Sequence, residues 1–118
     1  PETLSAAFNA ASSSLKNGSL FLVDVPHESV FVDVDYDDDR IIRTIRISPT
    51  VGRRYNYSEH TVVRTEKGEE TYRDQFPIRR WTRSEVSDAL HTAGFAAEAD
   101  VSARFAGLGA DYLLMRKP

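Results

Sequence analysis

The chain has 118 residues, which is at most one domain's worth of sequence. Apolar residues make up 41% and charged residues 28%, a balance that excludes a disordered chain and permits a packed core. The net charge of −3 is mild, and Lys and Arg alternate with Asp and Glu without any long basic run, so nothing calls for nucleic acid.

From the start, Leu4, Ala7, Phe8, Ala11 and Leu15 step by three and four, which predicts a helix over residues 2–16. Lys16, Asn17 and Gly18 supply its stop, with Gly18 suited to a left-handed cap. Leu20-Phe21-Leu22-Val23-Asp24-Val25 follows, apolar on both faces, as a parallel strand covered by helices on both sides would be, and Pro26 ends it. Its longest apolar run, Leu20 to Val23, is far too short to span a bilayer, and no signal peptide precedes it. The absence of cysteine removes disulfides, thiolate metal sites and cysteine nucleophiles together, and fits a reducing compartment, with the cytoplasm as the default.

From Val30 the texture changes. Residues 30–35, 41–48, 54–65 and 70–80 alternate imperfectly between polar and apolar, with turn-like pieces at Asp37-Asp38-Asp39, Pro49-Thr50-Val51-Gly52 and Glu66-Lys67-Gly68. That predicts an antiparallel sheet wetted on one side, with Pro77 at an edge, a bulge or a strand end. Thr82-Arg83-Ser84-Glu85 is a capping box, and the helix behind it carries Val86, Ala89, Leu90 and Ala93 before stopping at Gly94. Phe95 to Ala103 is read as a strand, Leu108-Gly109 as a turn, and Asp111 to Lys117 as a last strand. The strand at 20–25 poses a physical problem. It is patterned for burial on both faces, yet one helix covers one face, and a parallel neighbour needs a crossover that this chain does not offer upstream. Either segments outside these residues complete the sheet, or the strand pairs with the terminal hairpin alone.

The helix followed by Leu15-Lys16-Asn17-Gly18-Ser19-Leu20-Phe21-Leu22-Val23-Asp24-Val25 resembles the fifth strand of class I, Rossmann-like S-adenosylmethionine-dependent methyltransferases, with Ser19 where the second glycine of the usual Gly-Gly turn stands. Tyr72-Arg73-Asp74, then Arg80-Trp81-Thr82-Arg83-Ser84-Glu85-Val86, Leu90 and Ala93-Gly94-Phe95 are similar to the helix that follows in that family. Tyr112-Leu113-Leu114-Met115-Arg116-Lys117-Pro118 looks like its final antiparallel strand. The resemblance runs through the whole chain in order. It implies an α/β fold, the C-terminal half of a Rossmann-like methyltransferase sheet: helix, parallel strand, antiparallel β insertion, helix and terminal β hairpin. Residues 1–118 are then a partial domain, with 26–81 an antiparallel insertion on the substrate side. The resemblance also implies S-adenosylmethionine as cofactor of the complete enzyme. Its cradle would lie in a segment upstream of Pro1, so this chain alone is expected neither to bind the cofactor nor to catalyse. Gly107-Leu108-Gly109, the one Gly-x-Gly here, precedes a strand instead of opening a helix, so it reads as a turn. The partners expected are the missing N-terminal half or a second copy, since dimer contacts through such insertions occur, and a small-molecule methyl acceptor. A non-catalytic α+β module that binds a ligand or partner through residues 30–81 is the alternative.

Methyl transfer is an in-line displacement, so alignment and desolvation of the acceptor carry much of the rate, and a base helps when the acceptor is a protonated amine or a hydroxyl. Ligands of open α/β sheets lie beyond the C-terminal strand ends, which brings Asp24, His27 and Glu28 forward. His27 is the candidate base, set against a solvent-facing loop histidine. Tyr55 and Tyr57 share a strand face with Glu59, while His60 points to the other; the tyrosines are candidates for an acceptor pocket or for cross-strand support. Arg80 is a candidate clamp for a substrate carboxylate or phosphate, next to Arg79, and Trp81 a core anchor. Asp33, Asp35, Asp37 and Asp39 alternate as in a calcium loop, but Asp38 stands where Gly is needed and Thr44 where a bidentate Glu belongs, so an acidic hairpin is the reading. His27, His60 and His91 lack zinc-ligand spacing.

Overall fold

Leu4, Phe8 and Ala11 form the inner stripe of helix α1 (Glu2–Ser14) in the computed structural model, which describes residues 2–118. The helix stops at Ser14, two residues short of the predicted end at Lys16. Ser13 and Ser14 turn their hydroxyls back onto the carbonyls of Asn9 and Ala10, each at 2.9 Å. The Lys117 ammonium takes over the next carbonyls, donating to those of Ser12 and Leu15. Gly18, at φ 87°, then redirects the chain in the left-handed region that its missing Cβ permits.

Contacts divide the chain into two units, one of residues up to His27 together with Trp81–Pro118, the other of Glu28–Arg80. In the first, strand β1 (Leu20–Pro26) pairs with β7 (Ala110–Arg116), which pairs in turn with β6 (Ala96–Asp100), giving an all-antiparallel sheet of order β1-β7-β6. The expected parallel neighbour of β1 is therefore not among the described residues, and one edge of β1 is open. Phe21, Val23 and Val25 face a core made with Phe8, Val86, Leu90, Phe95, Leu113 and Met115. Helix α2 (Arg83–Thr92) lies on that same face and contacts α1. Leu20 and Leu22, on the other face, are 51% and 48% exposed. Burial of both faces, expected from the sequence, is thus met on one face only within this chain, because both helices pack on the same side.

The capping box starts α2 as read: the Glu85 N–H donates to the Thr82 hydroxyl at 3.2 Å, and the Thr82 N–H to the Glu85 carboxylate at 2.9 Å. The strand expected over 95–103 is shorter. Asp100 accepts the N–H and hydroxyl of Ser102, which bends the chain into a 3₁₀ turn at Ser102–Phe105.

The second unit is a four-stranded antiparallel sheet of order β2-β3-β4-β5, from β2 (Val34–Asp37), β3 (Ile41–Pro49), β4 (Arg54–Thr65) and β5 (Gly68–Arg79). Its first strand begins later than expected because Glu28–Val30 closes a 3₁₀ turn, with the Phe31 N–H on the Glu28 carbonyl. Strand β5 begins at Gly68, which pairs with Thr65 across a two-residue turn. Pro77 lies within β5, an outer strand of the sheet, where a missing N–H is tolerated. Cross-strand partners put Val34, Ile45, Ile47, Tyr55, Tyr57, Phe76 and Ile78 on one apolar face and Thr44, Arg46, Ser58, His60, Arg73 and Gln75 on the polar one. Two of the alternating aspartates, Asp33 and Asp35, and the intervening Asp38 serve this sheet locally. Asp33 accepts the Ile47 N–H, Asp35 pairs with Arg46, and Asp38 accepts the N–H groups of Arg40 and Ile41. Among the described residues, no helix is long and apolar enough to cross a membrane.

Candidate functional site

His27 stands one residue past the C-terminal end of β1, where its backbone N–H donates to the Gly109 carbonyl at 2.8 Å. The antiparallel register that sets Val25 opposite Asp111 brings the imidazole to the start of β7, and Nε2 lies 2.9 Å from Asp111 Oδ1. His27 and Asp111 line a cleft of about 460 Å³ with Ser102, Phe105, Gly107 and Gly109. Its wall is largely apolar, and the Phe105 ring is stacked on Tyr112 at 4.2 Å between centroids. Gly107 and Gly109 have φ of 86° and 71° in the turn before β7, as the sequence reading of that Gly-x-Gly had it. They lead into β7 and do not open a helix.

Behind Asp111 stands a closed set of polar contacts. Arg83 bridges Asp111 Oδ2 at 3.6 Å and Asp100 Oδ2 at 2.7 Å. Asp100 accepts the Ser102 hydroxyl, and that oxygen accepts the N–H of Tyr112, the residue after Asp111, at 2.8 Å. The Ser102 hydroxyl, then its N–H, then Arg83 hold the Asp100 carboxyl at about 2, against an ordinary value of 3.8. The folded state thus prefers the charged carboxylate. Stabilisation from this group is complete above about pH 4 and is lost as pH falls from there toward 2. We expect wild-type urea midpoints to fall across that window more steeply than those of Asp100→Asn; parallel curves would contradict it.

The other candidates lie in the second unit. Tyr55 is buried and stacked on Phe31, with centroids 5.0 Å apart, and Tyr57 is stacked on its cross-strand partner Phe76 at 4.6 Å. The Tyr57 hydroxyl donates to Glu59, which also pairs with Arg43. Burial, followed by the Glu59 hydrogen bond, pushes the Tyr57 phenol up, and Arg43 pulls the Glu59 carboxyl down. Tyr57 thus has a cross-strand ring partner, and Tyr55 one in the segment before β2. Arg80 closes the sheet end: its N–H donates to the Arg53 carbonyl at 2.8 Å, and its guanidinium lies 3.9 Å from Glu28. Arg80 Nε is buried without a hydrogen-bond partner among the described residues. His60 sits on the opposite, polar face, as read, and Trp81 packs against the core of the first unit. Asp111, Arg83, Asp100 and Ser102 were not singled out from the sequence. Pairing residues 20–26 antiparallel with 110–116 is the signal that reveals them.

No family model matches the sequence, and no curated protein matches it. Solved structures do. An S-adenosylmethionine-dependent methyltransferase from Clostridium acetobutylicum superposes with a TM-score of 0.80 at 17% identity, over 98% of this chain and 51% of that one. The amino pentose methyltransferase CalS10 from Micromonospora echinaspora gives 0.65 at 17% identity, over 97% of this chain and 50% of its own. The sugar N-methyltransferase KedS8 from Streptoalloteichus gives 0.67 at 14%, over 96% and 48%. The chain spans about half the length of each, and its α/β fold matches that part of these methyltransferase structures.

Proposed function

We propose that this chain is the acceptor-binding half of an S-adenosylmethionine-dependent methyltransferase that acts on a small molecule. In this reading β1 is an interior strand of a larger, partly parallel sheet. The observation that carries it is β1 itself: an apolar strand with one open edge and one bare face, in a chain that covers half of each matched structure. A solvated strand has no reason to carry Leu20 and Leu22 on its open face, whereas a strand with neighbours outside these residues does. The half of the matched structures that this chain does not cover would bring the cofactor cradle; among the described residues no glycine turn opens a helix. When bound there, the cofactor supplies an electrophilic methyl group.

The residues of this chain do the rest. The cleft at the end of β1 holds the acceptor, and His27 takes its proton. Residues 26–81 form the acceptor-side insertion, with Tyr55 and Tyr57 on its apolar face. Arg80 offers a buried donor to a substrate oxygen, a role its unpartnered Nε supports. Self-association belongs to the same reading, because Val34, Tyr36, Tyr72 and Phe76 are half exposed on one face of the insertion. The related sugar N-methyltransferase and amino pentose methyltransferase make an amino sugar the first acceptor to try.

Calorimetry separates the parts. S-adenosylmethionine is titrated into the 118-residue chain and into the protein that includes the residues encoded upstream of Pro1. Binding to the longer protein alone is expected. Tight binding to the 118-residue chain would overturn the division into halves, and binding to neither would overturn the methyltransferase reading in favour of a non-catalytic module.

A further inference from the structure

A half-exposed histidine beside an aspartate is, taken alone, an ordinary surface pair worth little. The pair at the end of β1 differs in how Asp111 is held. Its two oxygens have different partners, His27 on Oδ1 and Arg83 on Oδ2. Arg83 is anchored on Asp100, Asp100 on Ser102, and Ser102 on the N–H of Tyr112, which returns to the residue next to Asp111. That ring fixes where Asp111 Oδ1 points. The His27 backbone is pinned independently on Gly109. Both ends of the hydrogen bond are therefore set by the fold.

A carboxylate can only accept, so in the neutral imidazole Nε2 must carry the proton it donates to Asp111. Nδ1 is left with the lone pair, and it has no hydrogen-bond partner among the described residues. The geometry points to Nδ1 of His27 as the proton-accepting atom of the cleft, with Asp111 as the positioning residue that leaves it available. The inference rests on the reading of this cleft as the acceptor's. It also narrows the acceptor to a molecule that presents an N–H or O–H to an imidazole across a largely apolar wall of Ala103, Phe105 and Ala106. On transfer, the N–H or O–H bond breaks and its electron pair stays on the acceptor atom. The proton forms a bond to Nδ1, and Asp111 balances the imidazolium charge.

The chain carries its own calibration. The Nδ1 of His91 lies 2.8 Å from the Ser87 carbonyl, which also only accepts, so His91 must be in the opposite tautomer. The His60 ring makes no hydrogen bond among the described residues and serves as the unconstrained reference. Nitrogen-15 spectra of the three imidazoles in the 118-residue chain, taken where they are neutral, should show His27 purely Nε2-protonated, His91 Nδ1-protonated and His60 between them. Asp111→Ala should move His27 to the pattern of His60. A wild-type His27 that already matches His60, or one protonated on Nδ1, overturns the inference, and this holds even if the variant fails to fold. In a longer protein that methylates an acceptor, Asp111→Ala should lower kcat by about tenfold or more with KM little changed, part of the 10² to 10⁴ a base supplies, and Asp111→Glu should recover part of it. Undiminished kcat in Asp111→Ala would overturn the positioning role and leave the methyltransferase reading standing. A wild-type protein that binds S-adenosylmethionine but methylates nothing would strike that reading and leave the tautomer result intact.

Discussion

Replacing Leu90 by Ala should cost the first unit about 2–5 kcal/mol, a large share of the roughly 5–15 kcal/mol that holds an ordinary domain folded. Leu90 is fully buried at 0% exposure, the most enclosed side chain of a core that also holds Phe8, Val86, Phe95, Leu113 and Met115. The two helices and the sheet converge on it, so a cavity left there has walls on three elements that cannot all relax inward. Urea denaturation followed by near-ultraviolet circular dichroism reads the change through Trp81, which packs against the same core. A loss below about 1 kcal/mol would mean that this core is loosely packed.

Leu22→Asp makes a sharper distinction, because its effect depends on what covers β1. In the 118-residue chain Leu22 is 48% exposed, and the substitution should change stability by no more than about 1 kcal/mol. In the longer protein proposed above, the same position would be covered. An unpaired carboxylate there should cost about 3 to 5 kcal/mol and lower the melting temperature by many degrees. Equal and small effects in both proteins would show that β1 stays at a wetted rim, and the half-enzyme reading would fall with it. Phe21→Asp, on the core face, should destabilise both and serves as the control.

These two positions also show what the sequence could reveal. Helix α1, the start of β1, the capping box at Thr82 and Glu85, and strand β4 were legible because each depends on local periodicity or on a few adjacent side chains. The strand read over 95–103 was too long because a hydrogen bond from Ser102 to Asp100 outweighed a weak run of alanines with no strong strand preference. The site was legible in part. His27 drew attention as a titratable side chain just past a strand, but its partner lies 84 residues away. Asp111 reads as nothing more than the first residue of a final strand until the register of β1 against β7 is known. Tyr55 and Tyr57 were placed on the correct face, yet their stacking partners, Phe31 and Phe76, depend on turns and cross-strand register that composition does not encode.

The pairing of β1 with β7 also has a consequence for biosynthesis. A nascent chain emerging from the ribosome has made β1 long before its hydrogen-bonding mate β7 exists, and Lys117 latches the end of α1 only once it has itself been made. The intervening hairpins, whose partners are neighbours in sequence, can close while synthesis continues. Helix α1 and the β7-facing edge of β1 must therefore wait, unpaired, until residues 110–117 have been made. Synonymous codons that slow elongation over residues 81–118 should lengthen that wait and increase the demand for a holding chaperone.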